Sequence, residues 1–440
     1  MLGVGLSLWQ PAIYGGGMGW LSGITPPSGI APGLAMDFAG QLYAQGGSPA
    51  TLSSLMTTTR AGSASYFDGS GVLQTAGADT PRIGALLAGG PHGLLAEGAR
   101  TNMIRNSTMV GAVAGTPGTL PSNWSASGAG LSYNVLAVQT IAGIPCIDLR
   151  IFGTATSTSI YSIFNEFTVN IPSTQGQVWT GSVFLSLLAG SLANTTSFGL
   201  GFSESTSGGA GLTTGIGFQV PITGALTRYA YTRTLTDASA VRYNVNLRFN
   251  VTTGAAVDMT LRIGLPQLAQ GAFASTPIAT AGATATRNVA AQALAASAFS
   301  AGGFGGSQGT VLLRCEARPS GIIAAWDDGT VNNMHSLGIS ASNAYEYKTV
   351  VAGAATTIST GTHTPGTLAK VALRWKAGDC ALSINGGAVV TSAPAAVPTG
   401  ITTLRLGQLA DGTLPQFGTD ALLAAWSTGL SNSDLIALST

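Results

Sequence analysis

Nine residues alternate in type at every step: Val241-Arg242-Tyr243-Asn244-Val245-Asn246-Leu247-Arg248-Phe249. In an extended strand successive side chains point to opposite faces. Tyr243, Val245, Leu247 and Phe249 would then enter a core, leaving Arg242, Asn244, Asn246 and Arg248 together on the other face. Amide and guanidinium groups fixed on a sheet can hydrogen-bond sugar hydroxyls. Tyr229 and Tyr231 lie close by in sequence and offer rings that stack on a pyranose. The plainer alternative is that this face is solvated or meets a neighbouring subunit.

Hydrolysis is harder to assemble. A glycosidase needs two carboxyl groups roughly 5 to 9.5 Å apart across the bond. The chain has 17 acidic residues, but no set of them shares one strand face. Asp327 and Asp328 are adjacent and precede Gly329, the pattern of a turn. The functional alternative is a calcium or glycan loop with Asn332, Asn333 and His335, because calcium takes oxygen ligands. His92 and His363 have no Ser or Cys partner at a known spacing, which argues against a triad. No catalytic residue and no cofactor beyond that calcium is implied. Cys146, Cys315 and Cys380 have no CxxC spacing and read as buried thiols of a chain folded in a reducing compartment.

The 440 residues of the chain exceed one ordinary core. Charged residues are 8%, against about 25% in ordinary domains. Net charge is +1, so no basic footprint for nucleic acid exists. Hydrophobic content of 45% and seven Trp still argue for real cores. Such a surface is wetted by hydroxyls and amides and suits a subunit that buries area in a symmetric assembly. Residues 1–36 carry no charge. They lack the basic start of a signal peptide, and Pro11 and Gly15–Gly17 interrupt any membrane span. They read as an extended arm that orders against other chains.

Helical periodicity is nearly absent, and short alternating runs between Gly, Pro, Asn and Ser turns predict an all-β chain of sandwiches. Seven strand candidates fall at 145–152, 159–169, 178–188, 197–203, 214–220, 226–236 and 241–251. The expected division is an arm and attachment region over 1–110, a jelly roll over 120–275, a linker over 276–297 and a second sandwich over 298–440.

Three stretches carry resemblances. Thr59, Arg60, Tyr66, Phe67, Asp68, Gly71, Pro81, Arg82, Gly93, Leu94, Leu95, Glu97, Arg100, Thr101, Asn102, Asn106 and Ser107 follow a recurring order. This segment resembles one found in tailed-bacteriophage virion proteins, with apolar Ile83–Leu87 replacing the usual acidic insert. Gly264, Pro266, Gln267, Leu268, Gly271, Phe273, Ser275 and Ile278 resemble the close of a jelly-roll carbohydrate-binding module. The hairpin of Val371–Trp375 and Cys380–Gly387, Leu404–Gly407, Trp426 and the Leu430–Leu435 tail resemble a concanavalin/laminin-G sandwich. Together they imply a tail, baseplate or head fibre, assembled in the host cytoplasm and displayed on the virion surface. Its implied partners are other virion proteins and host-surface polysaccharide, in a homotrimer without membrane insertion. A virion-borne depolymerase and a bacterial adhesin are the alternatives.

Overall fold

The computed structural model describes residues 18–166, 171–208, 210–318 and 320–440. Strand makes up 50% and helix 6%, so the chain is all-β. It divides into a central unit, Thr58–Ala291 with Pro415–Thr419, and a terminal unit built from both ends of the chain: residues up to Thr57, Gln292–Leu414 and Asp420–Thr440.

The central unit is a sandwich of two antiparallel sheets. One has the order Ser132–Ile141, Ile144–Thr154, Ala256–Gln270, Val178–Ser191, Thr227–Thr234. The other runs Ser125–Ser127, Ser159–Phe164, Arg242–Val251, Thr196–Ser205, Gly211–Gln219, with Ile171–Pro172 also on Arg242–Val251. Alternation explains the core. Ile147, Leu149, Ile151, Leu261 and Ile263 face inward from the first sheet, and Tyr161, Leu200, Leu247 and Phe249 from the second. Each buried side chain of this size contributes about 1.5–3 kcal/mol.

The Thr59–Ser107 segment is an internal clasp of this unit. Glu97, in the wholly buried strand Gly93–Glu97, accepts from Arg82 at 2.6 Å and from Arg287 at 3.0 Å. The Thr276 backbone N–H and hydroxyl complete its shell at 3.0 and 2.7 Å. Asn102 donates to the carbonyls of Pro266 and Ile278 and accepts from the N–H groups of Ile104 and Leu268. Asp68 serves the expected turn, accepting from Ser70 and Val72. Burial alone would raise the Glu97 pKa; Arg287 and then Arg82 reverse this and hold it at about 2. The expected linker over 276–297 is therefore corrected. Thr276, Thr280 and Arg287 are buried and hydrogen-bonded, and Ala285–Arg287 pairs with Arg100–Asn102.

The terminal unit is a second sandwich. One sheet has the order Ser48–Pro49, Leu42–Gln45, Leu34–Asp37, Phe417–Trp426, Gln308–Ala317, Ala369–Lys376, Cys380–Ile384, Val390–Ser392. The other runs Ala354–Thr360, Tyr345–Val351, Met334–Ile339, Gly321–Asp327, Thr403–Leu406, Ala291–Leu294, Met56–Thr59. The expected hairpin, the Trp426 strand and the helix Asn432–Ser439 are present, the helix N-capped by Ser431.

The extended arm expected over 1–36, within an arm and attachment region over 1–110, is not what the described residues form. Its first 17 residues lie outside the described residues. Leu34–Asp37 is an interior strand of the C-terminal sheet, registered Leu34 to Ala425 and Asp37 to Leu422, and residues from Thr58 on belong to the central unit. The reason is apolar burial: Leu34, Met36 and Phe38 have no exposed surface.

His335 sits in the middle of this sandwich, against Trp326, Tyr347 and Trp375. Burial pulls its pKa down to about 3. An unfolded His has a pKa of about 6.5, so the unfolded chain binds the extra proton first. Stability of the terminal unit should thus fall steadily as pH drops from about 6.5 toward 3. Urea unfolding at a series of pH values checks this, and His335→Phe should flatten that part of the profile.

Candidate functional site

The strand Arg242–Val251 lies in the interior of its sheet, and the expected segregation of faces is real. Tyr243, Val245, Leu247 and Phe249 belong to the core cluster. Arg242 and Asn244 on the opposite face are half-buried. Asn246 and Arg248 are not available as drawn from sequence: they are buried, at 0% and 4% exposure. The Arg248 guanidinium donates to Asn246 Oδ1 at 2.7 Å, Thr214 Oγ1 at 2.6 Å and Ser203 Oγ at 3.3 Å. It lies flat across the neighbouring strand because that strand has glycine there. A Cβ on Gly201 would collide with Arg248 Nε and Asn246 Oδ1. Burial lowers the Arg248 pKa, yet the group stays cationic.

Tyr229 and Tyr231 do not join this face. They stand on Thr227–Thr234 of the other sheet and pack toward the core. Tyr231 stacks on Phe202 at 6.0 Å, and the Tyr229 hydroxyl donates to the Pro221 carbonyl at 3.1 Å. Phe202 is registered with Val245, a core position, so both rings lie behind the sheet that carries the Arg–Asn face. Pyranose stacking by these tyrosines beside Arg242 is thereby ruled out.

The Asp327–Asp328 loop is a turn. Asp327 is fully buried and bonded to the Arg405 guanidinium and the Gly329 N–H. Asp328 accepts from Thr330 and from Asn333 Nδ2. Hydrogen bonds, that from the Thr330 hydroxyl first, hold the Asp328 pKa low. Asn332 joins the turn through its N–H to Thr330 Oγ1, and His335 points into the core. Asp327 Oδ1 and both Asp328 oxygens are engaged by these donors, and Asp327 Oδ2 is buried without a partner. Among the described residues no cluster of three His, Cys, Asp or Glu has metal-binding geometry. The three thiols are free and buried. No described helix is long and apolar enough to cross a membrane, which leaves strand-built spans unaddressed.

A groove that sequence reading missed lies along one end of the central unit. A cavity of about 400 Å³ is lined by Arg100, Thr101, Met103, Trp179, Gln270 and Thr286, among others. It shares Gln270 with an open cleft of about 730 Å³ over Thr174–Val178 and Gly271. Three glutamines and three threonines thus meet the Trp179 indole along one surface. The parts are held firmly. Trp179 Nε1 donates to Gln177 Oε1, which also accepts from the Thr174 N–H. Gln175 Nε2 donates to the Thr236 carbonyl, and Thr101 and Thr286 share a 2.7 Å hydrogen bond. The Arg100 guanidinium lies against both the Phe273 and the Phe417 ring, at 4.8 and 4.7 Å. Chemically this is a trough of neutral donors and acceptors with one cation and no carboxylate.

No protein-family model and no curated protein matches the chain. Solved structures give faint likenesses. A heptameric SAP-like pentraxin from Limulus polyphemus is 18% identical over 30% of this chain and 70% of its own, with a TM-score of 0.25. Domains LG4-5 of the mouse laminin alpha1 chain give 12%, 68%, 94% and 0.26 in the same order. The CBM22-1-CBM22-2 tandem of Paenibacillus barcinonensis Xyn10C gives 11%, 75%, 99% and 0.27. At these scores the likenesses carry no argument about function, and the fold class rests on the strands and sheets themselves.

Proposed function

We propose that this chain is a non-catalytic, glycan-recognising structural subunit on the surface of a tailed-phage or phage-like particle. The groove of Gln175, Gln177, Trp179, Gln270, Thr101 and Thr286 carries the glycan half of this reading. Sugar hydroxyls both donate and accept, and amides and threonine hydroxyls match them without net charge. The indole edge of Trp179 adds an apolar wall for a ring's C–H face. No acid pair lies among the groove residues, so the reading is binding without cleavage. The particle half is supported by the sequence resemblance of the Thr59–Ser107 segment. A homotrimer displaying three such grooves fits a charge-poor surface, and multivalency then compensates for weak single sites.

Each neutral hydrogen bond to a sugar nets only about 0.5–1.5 kcal/mol against water. Gln270→Ala with Thr286→Ala should therefore weaken glycan binding roughly 5- to 100-fold. Melting of the central unit should stay unchanged, because neither side chain is part of its core. Arg242→Ala with Asn244→Ala, on the sheet face, should leave binding intact. Glycan-array retention and adsorption to host cells read both. Equal binding by the groove variant and the wild type, or release of sugar from host polysaccharide, would refute the proposal.

A further inference from the structure

In the terminal unit, two short helical segments cover the outer face of the sheet that holds the Trp426 strand. Gly19–Ile24 and Asn432–Ser439 bring Leu21, Leu435 and Leu438 into one cluster with Leu312, Ala372 and Ala424 of the sheet. Trp20, Ile24 and Leu422 pack at its margin, each only partly buried. The cover is incomplete there. A pocket of about 200 Å³ lies where Trp20 and Ile24, the helix residue Leu438 and the sheet residues Leu312 and Leu422 converge.

The same pocket carries two cations. Arg314 and Lys370 both line it, and they are registered directly opposite one another on Gln308–Ala317 and Ala369–Lys376. Directly opposed residues share a sheet face with Cβ atoms about 4.5–5.5 Å apart, where like charges repel. Neither side chain makes a hydrogen bond or ion pair among the described residues. Arg314 is exposed and Lys370 half-buried, so both heads are open to a ligand at the pocket mouth. The one acid of the pocket, Asp37, pairs with neither. Its strand lies two places from that of Arg314 and three from that of Lys370, about 10 and 14 Å at the usual strand spacing. Asp37 Oδ1 accepts from the Gly40 N–H at 2.9 Å instead. The three charged groups sum to +1, which a monoanion balances.

We infer that this pocket binds a small organic carboxylate with an alkyl body. The carboxylate sits between Arg314 and Lys370, where a guanidinium fork and an ammonium both donate to it. The chain lies over Leu312, Leu422 and Leu438, with the Trp20 ring as a wall. At roughly 30 Å³ per liquid water the pocket has the volume of about six or seven waters, which suits an alkyl chain of about seven carbons. This site is separate from the groove beside Trp179 and calls for a different chemistry.

The test is isothermal titration calorimetry of the full chain with butyrate, hexanoate and octanoate at constant ionic strength. One octanoate should bind per chain, with affinity rising roughly fourfold per added methylene. Octanol and octylammonium should bind at least tenfold more weakly than octanoate. Arg314→Gln with Lys370→Gln should weaken octanoate at least tenfold and leave octanol unchanged. Both side chains stand outside the core and repel one another, so the melting temperature of this variant should hold or rise. Trp20→Phe should keep binding but erase the change in tryptophan fluorescence that octanoate produces, which locates the ligand at this pocket. Absence of saturable octanoate binding to the folded wild-type chain would overturn the site. Unchanged affinity in the double Gln variant, equal binding of octylammonium, or a fluorescence change that survives Trp20→Phe would do the same.

Discussion

Glu97→Gln is expected to remove about 3–5 kcal/mol from the stability of the central unit. Whole domains are stable by only about 5–15 kcal/mol, so this single isosteric change approaches the limit of folding. The physical cause is asymmetric. Glu97 receives four hydrogen bonds, from Arg82, Arg287 and twice from Thr276. Gln keeps one carbonyl oxygen but turns its amide toward groups that are themselves donors. It also leaves Arg82 and Arg287 buried without an opposing charge. Urea unfolding of the whole chain should resolve the loss as an earlier transition of the unit that holds Trp124 and Trp179.

The same residue sets an acid limit. Its pKa is about 2 in the folded chain and about 4.3 when unfolded. A depressed carboxyl pKa contributes stability that is complete above the unfolded value and is lost as pH falls through the folded one. Wild-type stability should therefore decline between about pH 4.5 and 2, and the Gln variant should lack that component.

How much of this was legible in the chain follows from the distance over which each feature is encoded. Strands were legible because alternation is local: Val178–Ser191, Thr196–Ser205 and Arg242–Val251 lie where the pattern put them. The sidedness of Arg242–Phe249 was legible for the same reason. What lies over that face was not, because the glycine that makes room for Arg248, Gly201, belongs to another strand. The tyrosines failed similarly. Tyr229 and Tyr231 alternate with Ala230 and Thr232, and period two alone cannot say which set faces the core. The Trp179 groove draws on four separated segments, so no window of sequence displays it. The Glu97 clasp did leave a signal: one acid closing the apolar run Gly93–Glu97 cannot be buried unpaired, so it calls for basic partners such as Arg82 and Arg287.

The N-terminal segment gives the other large expected effect. Deleting residues 1–50 should unfold the terminal unit or drive it into aggregates, whereas a detachable arm would leave it folded. The deletion strips out Leu34–Asp37, which lies between Leu42–Gln45 and the Trp426 strand, and bares the ladder of a central strand. It also removes Leu34, Met36 and Phe38, all fully buried. The Ile30 carbonyl that accepts from Trp426 Nε1 and the Ser28 N–H that donates to Asp434 leave with them. Truncation of one such core side chain typically costs about 2–5 kcal/mol, so three together exceed a normal stability margin. The milder Met36→Ala should lower stability by about 2–5 kcal/mol in a chain that still folds. The uncharged stretch that reads as an arm thus leads into an interior strand, Leu34–Asp37, whose partner lies nearly four hundred residues further on. Circular dichroism and light scattering of the truncated chain decide the matter. A soluble deletion variant with the wild-type melting transition of its C-terminal sandwich would restore the extended arm expected over residues 1–36.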